Sequence, residues 1–381
     1  MEVYLDNSAT TQPYKEVAQV VFDTMMNTYG NPSSLHRMGK SAEDLMTKCR
    51  EVISSTVYGT PDELYFTSGG TESDNMAIIG YAMANKRRGN RVITQVTEHK
   101  AVLESFAYLE KQGFDVQYIA VDESGLVDMD ALRDAIDDNT ILVSIMAVNN
   151  ETGAIQPMDR ISAMIDHTRC AFHVDAVQAY GKLPINVRKS NIDMLTISAH
   201  KIHGPNGVGA LYLRRGIRIN PVVIGGQQEK SLRSGTENLA GIAGFAKAAE
   251  IRFAHMDETA VKIAELKSKL SHGLSNIAGV VVNSAEDSLY SILNVSFTGV
   301  RSEVLLHILE SKGIYVSSGS ACNSKKGSAS YVLSAMNLGR ERVDGAIRFS
   351  LSEFNTEQEI EYVCQVAAKE VPLLAQIMNR R

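Results

Sequence analysis

The sequence lacks the features that mark membrane and secreted proteins. Its longest mainly apolar run, Ile141–Val148, has eight residues and includes Ser144, whereas a membrane-spanning helix needs about 20. Residues Met1–Ser8 show neither the basic start nor the apolar stretch of a secretion signal. We therefore expect no contact with a membrane and a cytoplasmic location.

Cysteine is scarce, and tryptophan is absent altogether. The four cysteines, Cys49, Cys170, Cys322 and Cys364, form no CxxC pair, which leaves a structural zinc site or a redox dithiol without support. In a chain without a secretion signal, such cysteines are expected to be reduced thiols. The sequence thus predicts no metal site.

Neither sign of charge dominates. Lysine and arginine total 38 against 44 acidic residues, a formal net charge of −6, and no long block carries one sign. Direct binding to nucleic acid depends on clustered basic side chains and is therefore not expected. With 44% hydrophobic and 22% charged residues, the composition is that of a globular protein.

Between residues 64 and 213, short β-rich runs alternate with helix-like stretches. The predicted strands are Leu64–Thr67, Arg91–Val96, Val116–Val121, Ile141–Val148, Ala171–Val174, Met194–Ser198 and Gly209–Leu213. The predicted helices are Glu72–Lys86, His99–Gln112, Met129–Ile136 and Met158–His167. This alternation predicts an α/β fold with a mostly parallel sheet flanked by helices. Ligands bind such sheets beyond the carboxyl ends of the strands.

The pattern changes after Gly235, where a smaller α+β domain is predicted to begin. Its elements are a helical region over Leu239–Ile277, strands Gly279–Asn283 and Ile292–Phe297, a helix near Glu303–Ser311, a strand Ile347–Leu351 and a last helix. We place the large domain at residues 13–252. The small domain is predicted to contain residues 1–12 and 253–381.

A lysine follows an apolar strand at the edge of the predicted sheet. Ser198, His200 and Lys201 come directly after the run Met194–Ile197 and before a glycine-rich turn. Desolvation at a buried strand end lowers the pKa of a lysine, so its amine can form a Schiff base with a carbonyl cofactor. A surface lysine that precedes a turn is the structural alternative.

Asp175 and Gln178 follow another apolar strand, Ala171–Val174. A carboxylate at this place suits a pyridinium nitrogen, which it would keep protonated so that the ring withdraws electrons. Asp175 could equally cap the following helix. The sequence pattern alone leaves both interpretations open.

The turn at Gly70 and Thr71 links a strand to a helix. Free backbone N–H groups and the positive end of the helix dipole make such a turn a phosphate cradle. The segment has neither a Walker ending nor a GxGxxG fingerprint, which argues against a nucleotide or a nicotinamide cofactor. A tight turn capped by Thr71 is the alternative.

His99 and the amides Asn149 and Asn150 also follow predicted strands. The imidazole of His99 could stack on an aromatic cofactor and move protons near neutral pH, although a single histidine is more often structural. The amides could bind a ring oxygen or a substrate carboxylate. A turn is the alternative, because Asn and Gly favour turns.

Arg348 and Cys322 differ most from their surroundings. Arg348 lies in an otherwise apolar strand, and its planar fork matches either a substrate carboxylate or an internal salt bridge. Cys322 lies in a polar loop of small residues close to two lysines, a setting that stabilises a thiolate. The other three cysteines lie in helical or strand patterns and are expected to pack.

Together these residues closely resemble the group I cysteine desulfurases of the NifS and IscS type. These are pyridoxal-phosphate enzymes of the class V aminotransferase family, with fold type I. The resemblance runs almost end to end, through Tyr4–Thr11, Gly30–His36, the Ser198-x-His200-Lys201 motif, the Asp175/Gln178 pair, the Ser-Gly-Ser-Ala-Cys322 loop and the strand at Arg348.

The resemblance implies a role for each site residue at its matching position. For the pyridoxal 5′-phosphate ring, Lys201 would form the covalent bond, Asp175 would pair with the nitrogen, Gln178 would meet the hydroxyl, and His99 would stack and shuttle protons. The phosphate would be held by Gly70, Thr71, Ser198 and His200. The substrate would be oriented by Asn150 and Arg348. Thr236 would reach the phosphate of a neighbouring subunit, which implies a homodimer.

The reaction implied by the resemblance converts L-cysteine to L-alanine. Lys201 would remove the Cα proton, and the Cys322 thiolate would take the sulfur as a persulfide. That sulfur would pass to an acceptor protein, an iron–sulfur scaffold or a tRNA-thiolation enzyme. Relatives commonly have Thr and then Glu-Pro after the loop cysteine, whereas this chain has Asn323, Lys325 and Lys326, which leaves the acceptor open.

Other functions are distinguished by these same residues. A class V aminotransferase has no need of Cys322, and a selenocysteine lyase differs by its substrate. A non-catalytic adaptor on this fold would have no need of the whole set of Lys201, Asp175, His99, Arg348 and Cys322.

Overall fold

The structure is a computed structural model that describes residues 1–319 and 330–378. The strands in that part of the chain are β1 (Val3–Tyr4), β2 (Leu64–Thr67), β3 (Arg91–Gln95), β4 (Asp115–Ile119), β5 (Thr140–Ser144), β6 (Ala171–Asp175), β7 (Met194–Ser198), β8 (Gly209–Leu213), β9 (Val280–Val282), β10 (Ile292–Phe297), β11 (Ile314–Tyr315) and β12 (Ala346–Ser350).

The α-helices of the described residues lie mainly between or after these strands. They are α1 (Lys15–Asn27), α2 (Arg37–Ser55), α3 (Gly70–Asn75), α4 (Tyr81–Asn85), α5 (Lys100–Lys111), α6 (Met129–Ala135), α7 (Met158–Ile165), α8 (Leu239–Ala254), α9 (Met256–Ser275), α10 (Ser302–Ser311), α11 (Tyr331–Ala335), α12 (Arg340–Asp344) and α13 (Glu357–Met378). A π-helical segment, Met76–Gly80, joins α3 to α4.

The central sheet has seven strands in the order β2-β8-β7-β6-β5-β3-β4. All neighbouring pairs are parallel except the two that involve β8, which runs antiparallel to β2 and to β7. The carboxyl ends of β2, β3, β5, β6 and β7 therefore meet at one edge. The predicted fold class, a mostly parallel sheet flanked by helices, is confirmed.

Both faces of this sheet are buried, because alternate side chains of each strand point in opposite directions. Val143 of β5 packs in a core with Ile53 of α2 and Phe245 of α8. Its neighbour Leu142 packs on the other face with Phe106 of α5. Every residue of β5 to β8 is buried, which explains the continuous apolar runs in the sequence.

A second core forms around smaller sheets. Strand β10 pairs antiparallel with β9 and β12, and β1 pairs in parallel with β11. Val3 and Leu5 pack there with residues between Ile263 and Leu374, including the buried faces of α9, α10 and α13. The exact domain limits at residues 12 and 252 stay a prediction.

The predicted elements differ from the structure mainly at their ends. The run Ile141–Val148 was too long for one strand, since β5 ends at Ser144 and Val148 pairs instead with Ile155. The helical region Leu239–Ile277 is two helices that meet at His255. Helices α1 and α2 were not among the predicted elements.

No helix in the described ranges combines the length and the apolar character needed to span a bilayer.

Candidate active site

A pocket of about 240 Å³ opens at the edge where the parallel strands end. It brings together most of the predicted site residues, although they come from segments far apart in the sequence. The predicted residues that line it are Gly70, Thr71, His99, Asn150, Asp175, Gln178, His200, Lys201 and Arg348. Convergent polar groups in one concave site are typical of a small-ligand or cofactor pocket.

Lys201 projects into this pocket from the short turn Ala199–Lys201 that follows β7. Its Nζ donates hydrogen bonds to the backbone carbonyls of Ser8 at 2.5 Å and Ala9 at 2.8 Å. The N-terminal segment therefore holds the amine in place. The structural alternative, an exposed lysine before a turn, does not describe this side chain.

Asp175 ends β6 and is 5% exposed. Its Oδ1 accepts a hydrogen bond from the N–H of Val177 at 2.9 Å, which stabilises a local turn. The alternative of a helix cap is wrong, because turns and no helix lie between β6 and β7. Burial raises the pKa of Asp175 to about 6, against the opposing effects of the Val177 N–H and Lys201. A carboxylate that is desolvated in this way is poised to pair with a cation inside the pocket.

His99 is the residue that precedes helix α5. The N–H of Ala101 donates to its Nδ1 at 3.2 Å, which leaves the proton of the neutral ring on Nε2. Burial, with the positive charges of Lys201 and Lys100, lowers the pKa of His99 to about 4. The imidazole is therefore neutral at physiological pH and offers one N–H donor.

The turn before α3 provides space that a larger residue would fill. Gly69 has φ of 150°, and a Cβ on Gly70 would lie 2.8 Å from Val177 Cγ2. Nearby, the buried Oγ of Ser198 has no hydrogen-bond partner, and a Cβ on Gly69 would lie 4.0 Å from it. Backbone N–H groups, a helix start and an unsatisfied hydroxyl together suit a phosphate.

His200 lies beside this turn and lines the pocket. Its Nδ1 is 3.3 Å from the Thr10 hydroxyl. Burial and the charges of Lys201 and Lys182 lower the pKa of His200 to about 3. In its neutral form the ring can still donate one hydrogen bond to an anion.

Arg348 is the largest fully buried side chain of the described residues. Nη1 donates to the carbonyl of Asn150 at 2.9 Å, and Nη2 donates to Oδ1 of Asp6 at 2.7 Å. The Nε of Arg348 and the Oδ1 of Asn150 have no partner. The internal salt bridge considered from the sequence is present, and unsatisfied polar atoms still remain beside the pocket.

Several groups at the site were not predicted from the sequence. Asp74 lines the pocket, and burial, with Asp175 and Glu98 nearby, raises its pKa well above the usual value. Burial likewise raises the pKa of Glu98, whose Oε1 accepts from the N–H of Met146 at 2.6 Å. The sequence signal that could have identified these two acids is an acidic residue shortly after a predicted strand or within a helix.

Asn149 proves to be a turn residue. Its Oδ1 accepts from the backbone N–H groups of Glu151 and Thr152, and its Nδ2 donates to the carbonyl of Thr97. The predicted alternative of a turn therefore applies to Asn149. Asn150, by contrast, faces the pocket.

Ser198 and Thr236 are not among the residues that line the pocket of this chain, although Ser198 is buried beside the Gly69 turn. Thr236 is exposed, in the segment where Arg233 pairs with Glu72 of α3 at 2.8 Å. Cys322 lies outside the described residues. Among those residues, no group of His, Cys, Asp and Glu is arranged to hold a metal ion.

Known proteins resemble this chain over almost its full length. The family model for class-V aminotransferases matches residues 3–363. A Methanosarcina thermophila protein named cysteine desulfurase IscS is 44% identical over 98% of this chain and 92% of its own length. Among solved structures, a NifS-like protein is 40% identical, with a TM-score of 0.93 over 98% of this chain and 100% of that one.

The chain belongs to the class-V aminotransferase family. Within it, the chain groups with proteins of the IscS and NifS type, so the resemblance stated from the sequence is confirmed. A structure described as SspA in complex with cysteine is 33% identical, with a TM-score of 0.83 over 93% of this chain and 100% of that one.

Class-V aminotransferases depend on pyridoxal 5′-phosphate, and the pocket fits this group. The phosphate can lie at the Gly69–Gly70 turn, where the Ser198 hydroxyl lacks a partner. The ring nitrogen can face Asp175, a pocket carboxylate whose pKa the nearby Lys201 lowers against the effect of burial. The Lys201 amine is available for the covalent bond that this cofactor forms with a lysine.

Proposed function

We propose that this chain is a cysteine desulfurase that converts L-cysteine to L-alanine and carries the sulfur on Cys322 as a persulfide. The observation that supports this most directly is that Lys201, Asp175 and Arg348 line one pocket. They supply a nucleophilic amine, a partner for a pyridinium nitrogen and a carboxylate receptor. The names of the relatives point to the same activity.

Pyridoxal phosphate supplies an electron-withdrawing ring that weakens bonds at the substrate Cα and Cβ. In this proposal Asp175 keeps the ring nitrogen protonated, and Gln178 meets the ring hydroxyl. Gly70, Thr71, Ser198 and His200 hold the phosphate. His99 covers the ring and offers the proton on its Nε2.

Lys201 moves the proton at the substrate Cα in this proposal. The carbonyls of Ser8 and Ala9 hold its Nζ beside the pocket when the amine is not bound to the cofactor. Both carbonyls accept from the amine, so they would receive its N–H groups once it has taken the proton.

Arg348 holds the substrate carboxylate, with Asn150 beside it. The Asp6 carboxylate, 2.7 Å from Nη2, shows that the guanidinium binds an anion in this environment. The Nε of Arg348 has no partner and would donate a further hydrogen bond to the α-carboxylate. The Oδ1 of Asn150, also without a partner, would accept from a donor nearby. Because both residues are buried, the substrate displaces water at little cost in ordering of the protein.

Both described ends of the segment that contains Cys322 are attached next to this pocket. On one side, Ser317 pairs with Arg348 through two backbone hydrogen bonds of 2.7 and 3.2 Å. On the other side, Ser330 Oγ donates to Glu151 Oε2 at 2.5 Å, next to Asn150 in the chain. This attachment supports the assignment of Cys322 as the sulfur acceptor.

The test is sulfide and alanine release from L-cysteine by the purified holoenzyme. Cys322→Ala is expected to lower sulfide release by roughly 10³-fold or more, because the nucleophile is lost, while the coloured cofactor stays bound. Cys364→Ala, a change of a partly buried cysteine in α13, is the matched control and should leave the rate unchanged.

Full sulfide release by Cys322→Ala would contradict the persulfide route. Transfer of the amino group to a 2-oxo acid, unaffected by that variant, would instead indicate an aminotransferase. Faster turnover of L-selenocysteine than of L-cysteine would indicate a selenocysteine lyase.

We also infer that the protein is a homodimer. Phe22, Met25, Met26 and Tyr29 are each more than half exposed. The spacing of the first three puts them on one face of α1, and Tyr29 lies just beyond the end of that helix. A contiguous exposed apolar stripe of this kind typically marks a protein interface. In the proposed dimer, Thr236 reaches the phosphate of the partner subunit.

Phe22→Glu combined with Met26→Glu should give a monomer in light scattering, and an unchanged dimer mass would contradict this interface.

The acceptor of the sulfur is proposed to be an iron–sulfur scaffold or a tRNA-thiolation enzyme, in the cytoplasm. The IscS name of the relatives favours the first of these. Transfer of labelled sulfur from Cys322 to one cellular protein, followed by identification of that protein, distinguishes them. Recovery of the protein in a membrane or extracellular fraction would contradict the location.

A further inference from the structure

A second lysine, Lys182, lies directly behind the proposed cofactor site. It follows the turn after β6, four residues beyond Gln178, and its Nζ donates to Gln178 Oε1 at 3.2 Å. Together with Ser8 and Lys201, which also line the main pocket, it lines a small cavity of about 10 Å³. None of the proposed steps uses this amine.

Gln178 is held at both ends of its carboxamide. Nε2 donates to the Ser8 carbonyl at 3.0 Å, and Oε1 accepts from Lys182 at 3.2 Å. A protonated lysine can only donate, so below about pH 7, where Lys182 is mainly charged, it fixes the oxygen of the amide on its own side. One of the two Nε2 hydrogens binds Ser8, and the second is left for the pocket that Gln178 lines.

The Ser8 carbonyl links this arrangement to the reactive amine. It accepts from Gln178 Nε2 and also from Lys201 Nζ at 2.5 Å. A continuous set of hydrogen bonds therefore runs from Lys182 through Gln178 and Ser8 to Lys201. Lys182 is thus linked to the reactive amine through Gln178 and Ser8.

The charges around Lys182 come from several elements. Burial is the main reason that the pKa of Lys182 falls to about 7, with Lys201, Arg252 and Arg348 acting in the same direction and Glu353 opposing them. Glu353 itself is paired with Arg252 at 3.2 Å. The hydrogen bond to Gln178 fixes the position of Lys182. The negative charge of Glu353 offsets only part of the effect of the positive charges around it.

We propose that Lys182 is a positioning residue that keeps the Gln178 amide turned as a hydrogen-bond donor toward the cofactor ring oxygen. This inference rests on the proposed function, because it assigns a direction to the contact between Gln178 and the ring. It adds that a neighbouring cation, and not Gln178 alone, decides which end of the amide faces the ligand.

The first test measures cofactor binding rather than turnover. Cofactor-free protein is titrated with pyridoxal 5′-phosphate, and the dissociation constant is read from the absorbance of the bound cofactor. Lys182→Met, which keeps the length of the side chain and removes the donor, is expected to weaken binding by roughly 5- to 20-fold, the range for one lost hydrogen bond. Lys189→Met, at an exposed lysine nearby, is the matched control and should bind like the wild type.

The second test asks whether Lys182 acts through Gln178. In a double-mutant cycle, Lys182→Met should have little further effect on cofactor affinity in a Gln178→Leu background. Lys182→Gln, which keeps an N–H donor without the charge, should restore most of the affinity. If circular dichroism shows that Lys182→Met does not fold, Lys182→Gln takes its place in the cofactor titration.

The third readout is the pH midpoint of the absorption band of the bound cofactor. Loss of a nearby positive charge and of a donor to the ring oxygen both favour protonation, so Lys182→Met should raise this midpoint by about 0.5 unit or more. Lys182→Gln should shift it less.

Wild-type affinity and midpoint in both Lys182 variants would overturn the inference, as would fully additive effects with Gln178→Leu. Failure of the proposed function is a separate outcome, seen when the wild-type protein itself binds no cofactor or releases no alanine from L-cysteine.

Discussion

Polar groups at the two edges of the central sheet are paired to different extents. At the carboxyl edge, Ser198 Oγ, Asn150 Oδ1 and Arg348 Nε are buried without a hydrogen-bond partner. At the amino edge, Arg91 pairs with Asp115 and Asp137, each at 2.7 Å. The Arg91 guanidinium therefore has its partners within the protein, whereas the three carboxyl-edge atoms do not.

This difference indicates where the protein depends on a ligand. An unsatisfied buried polar atom costs about 1–3 kcal/mol, so three of them within one site are stable only because other parts of the fold compensate. A bound cofactor and substrate would supply the missing partners. Changes at the carboxyl edge should therefore alter ligand binding and rate, whereas changes at the amino edge should alter stability alone.

The largest effect is expected for Lys201→Ala. The turnover of L-cysteine should fall by roughly 10⁴-fold or more, because one residue supplies both the covalent bond and the proton transfer. The absorption band of the lysine-bound cofactor should disappear, while the circular dichroism spectrum stays native. Lys189→Ala, at an exposed lysine, is the control; substantial turnover by Lys201→Ala would mean that another amine does this work.

Asp175→Asn should separate function from stability. Turnover should fall by roughly 10²–10³-fold, the loss typical when a preorganised electrostatic partner is removed. The amide oxygen can still accept from the Val177 N–H, so the local structure should persist.

The pH dependence gives Asp175→Asn a second signature. The pKa of Asp175 is raised from 3.8 to about 6 in the folded protein, so the folded state retains a proton that the unfolded chain releases. The stability of the cofactor-free protein therefore falls as pH rises through this window. Asparagine does not titrate, so the cofactor-free variant should be more stable than the wild type above pH 6 by roughly 1–3 kcal/mol in urea unfolding. A variant that is less stable at pH 7 would contradict the assigned shift.

The sequence predicts site residues best where they follow the end of a buried strand. Lys201, Asp175 and His99 lie at or shortly after the ends of apolar strands, and parallel strands bring such ends together. The structure places all three at one pocket, and their roles stay a prediction. The Ser8 and Ala9 carbonyls that hold Lys201 are backbone groups, and no side-chain pattern reports them. Strand ends were less predictable where an apolar run continues past the sheet, as at Val148.

The buried acids show a different limit. Asp74 and Glu98 are buried next to the pocket, but an acidic residue in a helix or a turn is usually exposed, and burial depends on tertiary packing. Lys182 was missed for the same reason. Its importance depends on the distance to Gln178, which a four-residue spacing in an irregular turn does not fix.

Ser198→Ala should have a smaller effect, restricted to the ligand. Removal of a hydroxyl that lacks a partner in the cofactor-free protein costs that state nothing and is expected to stabilise it slightly. The affinity for pyridoxal 5′-phosphate should fall roughly 5- to 20-fold through the loss of one bond to the phosphate. Titration of the cofactor-free protein measures this; equal affinity with lower stability would mean that Ser198 serves only the fold.

Arg91→Met, at the opposite edge, should have the smallest effect and should leave the ligand unaffected. The side chain is partly exposed, and its two ion pairs should contribute only about 1 kcal/mol in total to the free energy of unfolding. The Arg91 guanidinium also lowers the pKa of Asp115, so this contribution should be lost as pH falls through the acidic range and weaken in high salt. Urea unfolding of wild type and variant measures the loss, and cofactor titration should give the same affinity for both. If Arg91→Met weakened cofactor binding, the two edges would be energetically coupled. The unsatisfied groups at the carboxyl edge would then depend on the amino edge as well as on the ligand.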